Sequence, residues 1–396
     1  MPDLRHTHSA PSDAEPTLQM LSPFGAGSLP RGSVFSASQD LIRPPRGTTI
    51  NASGDSLALR ARRRSKLLEQ ARVRITEFGT ALAFSASNKS FSTTFNYRGK
   101  ERIMGLLDGK VAIVTGAGGG LGRAHAMLLA AHGASVVVND LGGARDGTGS
   151  STSMADTVVD EIKAAGGKAA ATYGSVTDDA AAAAMVKCAV DNFGRLDILI
   201  NNAGILRDRS FKNMTDAEWD AVIDVHLRGS YLATKHAWAQ MLEQGEGGRI
   251  IMTSSTSGLI GNFGQANYGA AKAGMAGFMR VLALEGVKYG ITVNVLAPAA
   301  LSRMTEDLMP ESEETAVRMA PEKVSPTVAW LCTDAAAKVT GRQFCVSGNR
   351  TTLLSWQYDV LAEKDAMDGP WSVEAIGEQI EASMERWPKL LKPMEV

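Results

Sequence analysis

Two kinds of chain show in the placing of apolar residues. From residue 104 onward, short apolar runs alternate with longer stretches whose apolar positions recur at helical spacing. Val111–Thr115 is the first run. Glycines and a helical stretch, Leu121–His132, follow it, and Gly133 ends that helix. Ser135–Asn139 (SVVVN) reads as a β-branched strand. An Ala-rich helix over 152–165 leads to strand-like Ala169–Tyr173. The alternation continues with helix 178–193 and strand Asp197–Ile200, then helix 216–243 and strand Arg249–Thr253. Helix 267–289, strand Thr292–Leu296 and a last apolar run, Gln343–Val346, complete it. Strands separated by helices make βαβ units. The predicted fold is therefore α/β of Rossmann type, one doubly wound parallel sheet with helices on both faces.

Residues 1–103 sustain no apolar period and are rich in Ser, Arg, Pro and Thr. They carry 15 Lys and Arg against 8 Asp and Glu, whereas 104–396 carry 26 and 34. A segment that buries so little cannot offset its ordering entropy, so a mostly disordered basic extension is expected there. Within it, 57–78 could form a short basic helix, open to a targeting reading. MGLLDGKVAIVTGA reads as the opening of a compact domain, which makes Met104 an alternative natural start. Residues 104–350 are expected to form the domain, and 351–396 a mixed helical tail.

Composition narrows the partners. A net charge of -1 points to neither nucleic acid nor an acidic membrane, and no apolar run is long enough for a membrane span. Cys188, Cys332 and Cys345 are too few and too scattered for a disulfide framework; reduced thiols in a cytoplasmic protein are expected, and no metal ligands.

The chemistry starts in the turn after the first strand. Thr115-Gly116 through Gly120-Leu121-Gly122 lies between strand and helix. Glycines there allow a tight turn, close approach of the backbone to a pyrophosphate and close helix–strand packing, while the helix N-terminus presents free N–H groups. An acid, Asp140, ends the second strand, 24 positions after Gly116. A carboxylate there accepts the ribose hydroxyls of NAD and repels the 2′-phosphate of NADP, so NAD is the expected cofactor. Arg123 and Arg145 are the nearby cations that favour the other cofactor.

The spacing TGxxxGxG (115–122), then Asn201-Asn202-Ala203-Gly204, Ser255 and Tyr268-xxx-Lys272, resembles the short-chain dehydrogenase/reductase family over about 104–350. The strings VVVNDLGG, NNAGILRDRSF, VHLRGSY, GNFGQANY and SRMTEDLMP are similar to the (3R)-hydroxyacyl-CoA dehydrogenase unit of peroxisomal multifunctional enzymes and its bacterial relatives. The resemblance implies NAD-dependent oxidation of a β-hydroxyacyl thioester, with Lys272 also on the nicotinamide ribose. It further implies cofactor contacts at Asn202, Ala203 and Gly204, at Ser175 and Val176, and at Pro298. A homodimer or homotetramer built through the long helices is implied too. His226 stands where many members have an asparagine, and Ala299 and Leu301 depart from the narrower group.

Independently of the resemblance, Tyr268 and Lys272 are four apart on a predicted helix and share a face. An adjacent ammonium is expected to lower the phenol's pKa and make it a competent general base. The Ser255 hydroxyl is placed to hold the substrate oxygen. Asp197 is expected to be structural. Two other readings stay open: a dehydrogenase of a steroid or other bulky secondary alcohol, and a non-catalytic nucleotide-binding sensor.

Overall fold

The computed structural model describes residues 105–301, 312–356, 359–365, 367 and 369–388. The expectations for 1–103, the helix at 57–78, the start at Met104 and SRMTEDLMP (302–310) lie outside the described residues.

Each strand is a short apolar or β-branched run that a turn stops. β1 (Val111–Thr115), β2 (Ser135–Asn139), β3 (Lys168–Thr172), β4 (Ile198–Asn201), β5 (Gly248–Thr253), β6 (Ile291–Ala299) and β7 (Gln343–Ser347) pair in parallel. β8 (Arg350–Leu354) adds antiparallel to β7, giving the order β3-β2-β1-β4-β5-β6-β7-β8. Among the described residues, the longer α-helices are α1 (Gly120–Ala131), α2 (Ser153–Ala164), α3 (Asp179–Phe193), α4 (Asp216–Ile223), α5 (Gly229–Gln244), α6 (Ala266–Gly286), α7 (Ser325–Leu331) and α8 (Val373–Ser383).

Alternation along the strands sorts the core into two layers. Ala112 and Val114 of β1 face a cluster containing Leu129 of α1, Val158 of α2 and Val328 of α7. Val111 and Ile113 face the other, with Met185 of α3, Leu232 of α5 and Met275 and Met279 of α6. Both methionines are fully within the core. Strand order reverses between β1 and β4, and the crevice outside the carboxyl ends of a doubly wound sheet at that point is where ligands bind.

Asp197 is structural as expected. Its Oδ2 accepts the Val111 N–H at 2.9 Å, and Arg195 grips both oxygens, tying the starts of β1 and β4 together.

Two elements differ in kind from expectation. The single helix expected over 216–243 is α4, a π-helical segment Asp224–Arg228, and α5. The π segment carries His226, whose ring lies where Gly204 leaves room: a Cβ on Gly204 would sit 2.3 Å from His226 Cε1. The tail begins as a strand, because Gly348 (φ 53°) and Asn349 turn the chain back into the β-branched run of β8.

α1 and α7 meet at a buried histidine. His125 Nδ1 lies 2.8 Å from Ser325 Oγ, Nε2 has no partner, and burial pushes the ring's pKa down to about 4. The unfolded chain takes up this proton first, near the ordinary value of 6.5. The stability contribution is therefore complete above that pH and is lost as pH falls toward 4, by up to about 3 kcal/mol. Chemical denaturation across this range should show a shallower pH slope for His125→Leu than for the wild type. Equal slopes would remove this account.

Candidate active site

The turn after β1 is shaped by what cannot be there. Gly116 (φ 63°) has a backbone only glycine adopts freely, and a Cβ on it would lie 2.8 Å from Ala203 Cα. α1 starts at Gly120, its N-cap Gly119 offers no side chain, and its first turn holds no acid, so its N–H groups stay uncompensated. Asn202 Nδ2 donates to the carbonyls of Thr115 (2.9 Å) and Gly116 (3.1 Å), and Thr115 Oγ1 accepts the N–H groups of Asn202 and Ala203. The end of β4 is thus sewn to the turn. Leu121 packs partly buried against the core beneath it.

Asp140 closes the far side. Its Oδ2 accepts the Gly118 N–H and its Oδ1 the Gly142 N–H, both at 2.7 Å. Each oxygen keeps a lone pair for a further donor. Gly118 allows the approach, since its Cβ would lie 2.8 Å from the carboxyl carbon. Arg123 is held by Glu161 at 2.8 Å. Val176 is buried in the loop after β3, and Ser175 Oγ bonds Thr177 Oγ1 at 2.9 Å. Pro298 falls inside β6, which runs to Ala299, rather than after its end. A cradle of glycines, a free helix N-terminus and a two-lobed acceptor fit a dinucleotide: phosphates against Gly116–Gly122, a ribose against Asp140.

At the carboxyl end of β5, Ser255 opens a short helical turn, Thr256–Leu259, and its Oγ accepts the Ser257 N–H at 3.1 Å. Tyr268 and Lys272 lie on one face of α6. The Lys272 ammonium is 5.4 Å from the centre of the Tyr268 ring and donates to the Thr253 carbonyl, while Ser254 Oγ donates to the Lys272 carbonyl at 2.8 Å. The His226 ring meets Tyr268 edge-on at 5.1 Å. It is a buried core histidine: Nε2 lies 2.8 Å from the Ile205 carbonyl and Nδ1 has no partner. Burial, and then Lys272, hold its pKa well below the ordinary value.

The electrostatics correct one expectation. Desolvation pushes the Tyr268 phenol up to about 12; a hydrogen bond from Ser255 pulls it down and Asp208 pushes it further up. Lys272, buried, is drawn down to about 7. Removal from water therefore outweighs what the neighbouring Lys272 offers the phenolate. Ser255, not Lys272, is the group here that favours the phenolate.

Sequence reasoning missed Asp208, Gln265 and Asn267. Gln265 Nε2 donates to Asp208 Oδ2 at 2.7 Å, and the fully buried Asn267 pins α6 to the carbonyls of Arg207 and Glu218. All three lie within the quoted strings, but pairing across 49 to 60 positions leaves no local signal.

A model of the short chain dehydrogenase family matches residues 110–315. The chain is 53% identical over 250 residues to a peroxisomal hydratase-dehydrogenase-epimerase of Neurospora crassa, covering 63% of this chain but 27% of that protein. It is 46% identical over 264 residues to the hydroxyacyl-CoA dehydrogenase ChsB1 of Mycobacterium tuberculosis, covering 63% and 80%. A crystal structure of a short chain dehydrogenase from Mycobacterium avium shares 43% identity, covers 72% of this chain and 98% of that one, and superposes with a TM-score of 0.63. The chain thus spans about a quarter of the length of the fungal hydratase-dehydrogenase-epimerase and nearly all of the Mycobacterium avium dehydrogenase. A glycine-lined turn at the sheet's switch point, the Tyr268–Lys272 helix face and a family match over more than half its length agree: the chain belongs to the short chain dehydrogenase family.

Proposed function

We propose that this protein is an NAD-dependent dehydrogenase that interconverts a 3-hydroxyacyl-CoA and the 3-oxoacyl-CoA. The observation that carries the reading is Tyr268, Lys272 and Ser255 gathered together, with Ser255 after β5 at the same carboxyl edge of the sheet as the glycine turn after β1, and the Lys272 ammonium 5.4 Å from the ring of Tyr268. The thioester substrate follows the relative named as a hydroxyacyl-CoA dehydrogenase. Bound NAD would supply the hydride acceptor. The chain holds it with Gly116, Gly120, Leu121 and Gly122 at the phosphates, Asp140 at the ribose hydroxyls, and Ser175, Val176, Asn202, Ala203, Gly204 and Pro298 along the crevice.

Tyr268 removes the alcohol proton in oxidation and returns one to the ketone in reduction. Ser255 Oγ accepts the Ser257 N–H, and its one proton, directed at the Tyr268 phenol, turns to the substrate oxygen when the alcohol enters. Lys272 orients the nicotinamide ribose. Exposed Val281, Leu284 and Val287 on and after α6, with Tyr231 on α5, favour a homodimer or homotetramer. The three cysteines are free, which supports a reducing compartment such as the cytoplasm.

The test is an assay of the full chain with NAD and with NADP, on a 3-hydroxyacyl-CoA and on a steroid alcohol. Reduction of NAD by the thioester is expected. Turnover confined to the steroid, or to NADP, would overturn the reading. Asp140→Asn, which keeps an acceptor but removes the charge, should lower the preference for NAD over NADP by about tenfold or more. An unchanged ratio of kcat/KM would mean that Asp140 does not choose the cofactor.

A further inference from the structure

The seat of Ser255 is held from another loop. Its Oγ accepts the Ser257 N–H at 3.1 Å, Ser257 Oγ lies 2.7 Å from Gln265 Oε1, and Gln265 Nε2 donates to Asp208 Oδ2 at 2.7 Å. Asn262 Nδ2 adds a donor to Gln265 Oε1 at 3.2 Å. The backbone joins the same two loops, with the Arg209 N–H on the Gly264 carbonyl at 2.8 Å. Gln265 and Ser257 are buried, whereas Asp208 is exposed at the rim.

The direction of this chain is forced. A carboxylate only accepts, so the amide nitrogen of Gln265 must face Asp208; the amide oxygen must then face Ser257, whose hydroxyl must donate. A buried amide robbed of either partner would be left partly unpaired and would turn. Because Gln265 immediately precedes α6, which carries Tyr268, one side chain sets both the turn under Ser255 and the start of the Tyr268 helix.

We propose that Asp208 and Gln265 are positioning residues for the Ser255–Tyr268 pair: the carboxylate fixes the amide, and the amide fixes the turn from which Ser255 projects. This rests on the acid–base role proposed for Tyr268. Among the described residues, the titratable groups against the Tyr268 ring are Lys272 and His226, and the charge that acts on the phenol is Asp208. His226 is held neutral, and Lys272 loses its charge through about 7, so in the alkaline range Asp208 is the charge left to oppose the phenolate.

The experiment compares Gln265→Leu and Asp208→Asn in the full chain, with NAD and both alcohols. Gln265→Leu should lose roughly tenfold to hundredfold in kcat while the KM for NAD stays within about twofold, the mark of lost alignment rather than lost binding. Asp208→Asn, an exposed change that leaves folding intact, should move the rising limb of the oxidation pH profile to lower pH by roughly half a unit. Wild-type kcat in Gln265→Leu, or an unmoved profile in Asp208→Asn, overturns the proposal. If the wild type turns over neither alcohol, the proposed activity falls, and a crystal structure of Gln265→Leu decides this point alone. Ser255 Oγ displaced supports the positioning role; Ser255 Oγ unmoved ends it.

Discussion

Tyr268→Phe is expected to lower kcat for alcohol oxidation by about 10³-fold while the Kd for NAD stays within about twofold. General acid–base catalysis by a positioned side chain is worth about 10²–10⁴-fold. The phenyl ring keeps the edge-on contact with His226, so the fold loses little more than the hydroxyl. The pH dependence gives a second signature. With the phenol pushed up to about 12 by desolvation, its basic form is scarce at neutral pH and grows by up to tenfold per pH unit below that value. Oxidation by the wild type should therefore accelerate with rising pH, whereas ketone reduction, which uses the protonated phenol, should not. The Phe variant should lose the slope together with the rate. Steady-state kinetics over neutral to alkaline pH, with NAD binding followed by fluorescence, checks both. A variant that keeps the wild-type rate removes Tyr268 from the mechanism.

How far the residues alone foretell this architecture depends on the range of the forces involved. β1 and β2 begin and end where expected, because each is a Val-rich run bounded by glycine or by a polar residue that must leave the sheet. β6 runs past Leu296 because its neighbour β7 continues to pair as far as Ala299, and tertiary pairing outlasts local propensity. The π segment at His226 escapes a pattern reading, since one extra residue in a helical turn hardly disturbs the apolar period over 216–243. β8 did carry a signal, Gly348-Asn349 between the apolar run of β7 and the paired threonines of β8, which a tail read as helical passes over.

The candidate site divides along the same line. The glycine turn, Asp140 and the Tyr268–Lys272 face are near in sequence and legible as motifs. The sign of the phenol's shift was not, because the charges are evident in the sequence and the loss of water is not: burial drew Lys272 down to about 7 and lifted Tyr268, opposite to what an exposed pair would show. The Asp208–Gln265 bond needs both loops folded before either residue has a partner.

Gly122→Ala should weaken NAD binding by about a hundredfold or more, although alanine is the better helix former by about 1 kcal/mol. A Cβ at this position would lie 2.2 Å from the Gly116 carbonyl oxygen, 2.6 Å from Asn202 Nδ2 and 2.9 Å from Ala117 Cα. Two of these are backbone atoms without freedom to retreat. The Ala117 N–H is bonded to the Asn139 carbonyl at 2.9 Å, and Asn202 holds the Gly116 carbonyl from the other side. The strain, about 1–3 kcal/mol for one added methyl in a packed site, must therefore fall on α1, which is forced away from β1. Moving α1 withdraws the N–H groups at its start from where phosphates would lie, so binding suffers more than folding. The Tm should drop by only a few degrees. Gly277→Ala supplies the control: nothing lies within 4 Å of its Cβ, it sits inside α6, and the change should hold or slightly raise stability with NAD affinity unchanged. Calorimetric titration of both variants with NAD separates close packing from glycine content. If Gly122→Ala binds like the wild type, the close approach of helix and strand is not what shapes the phosphate site.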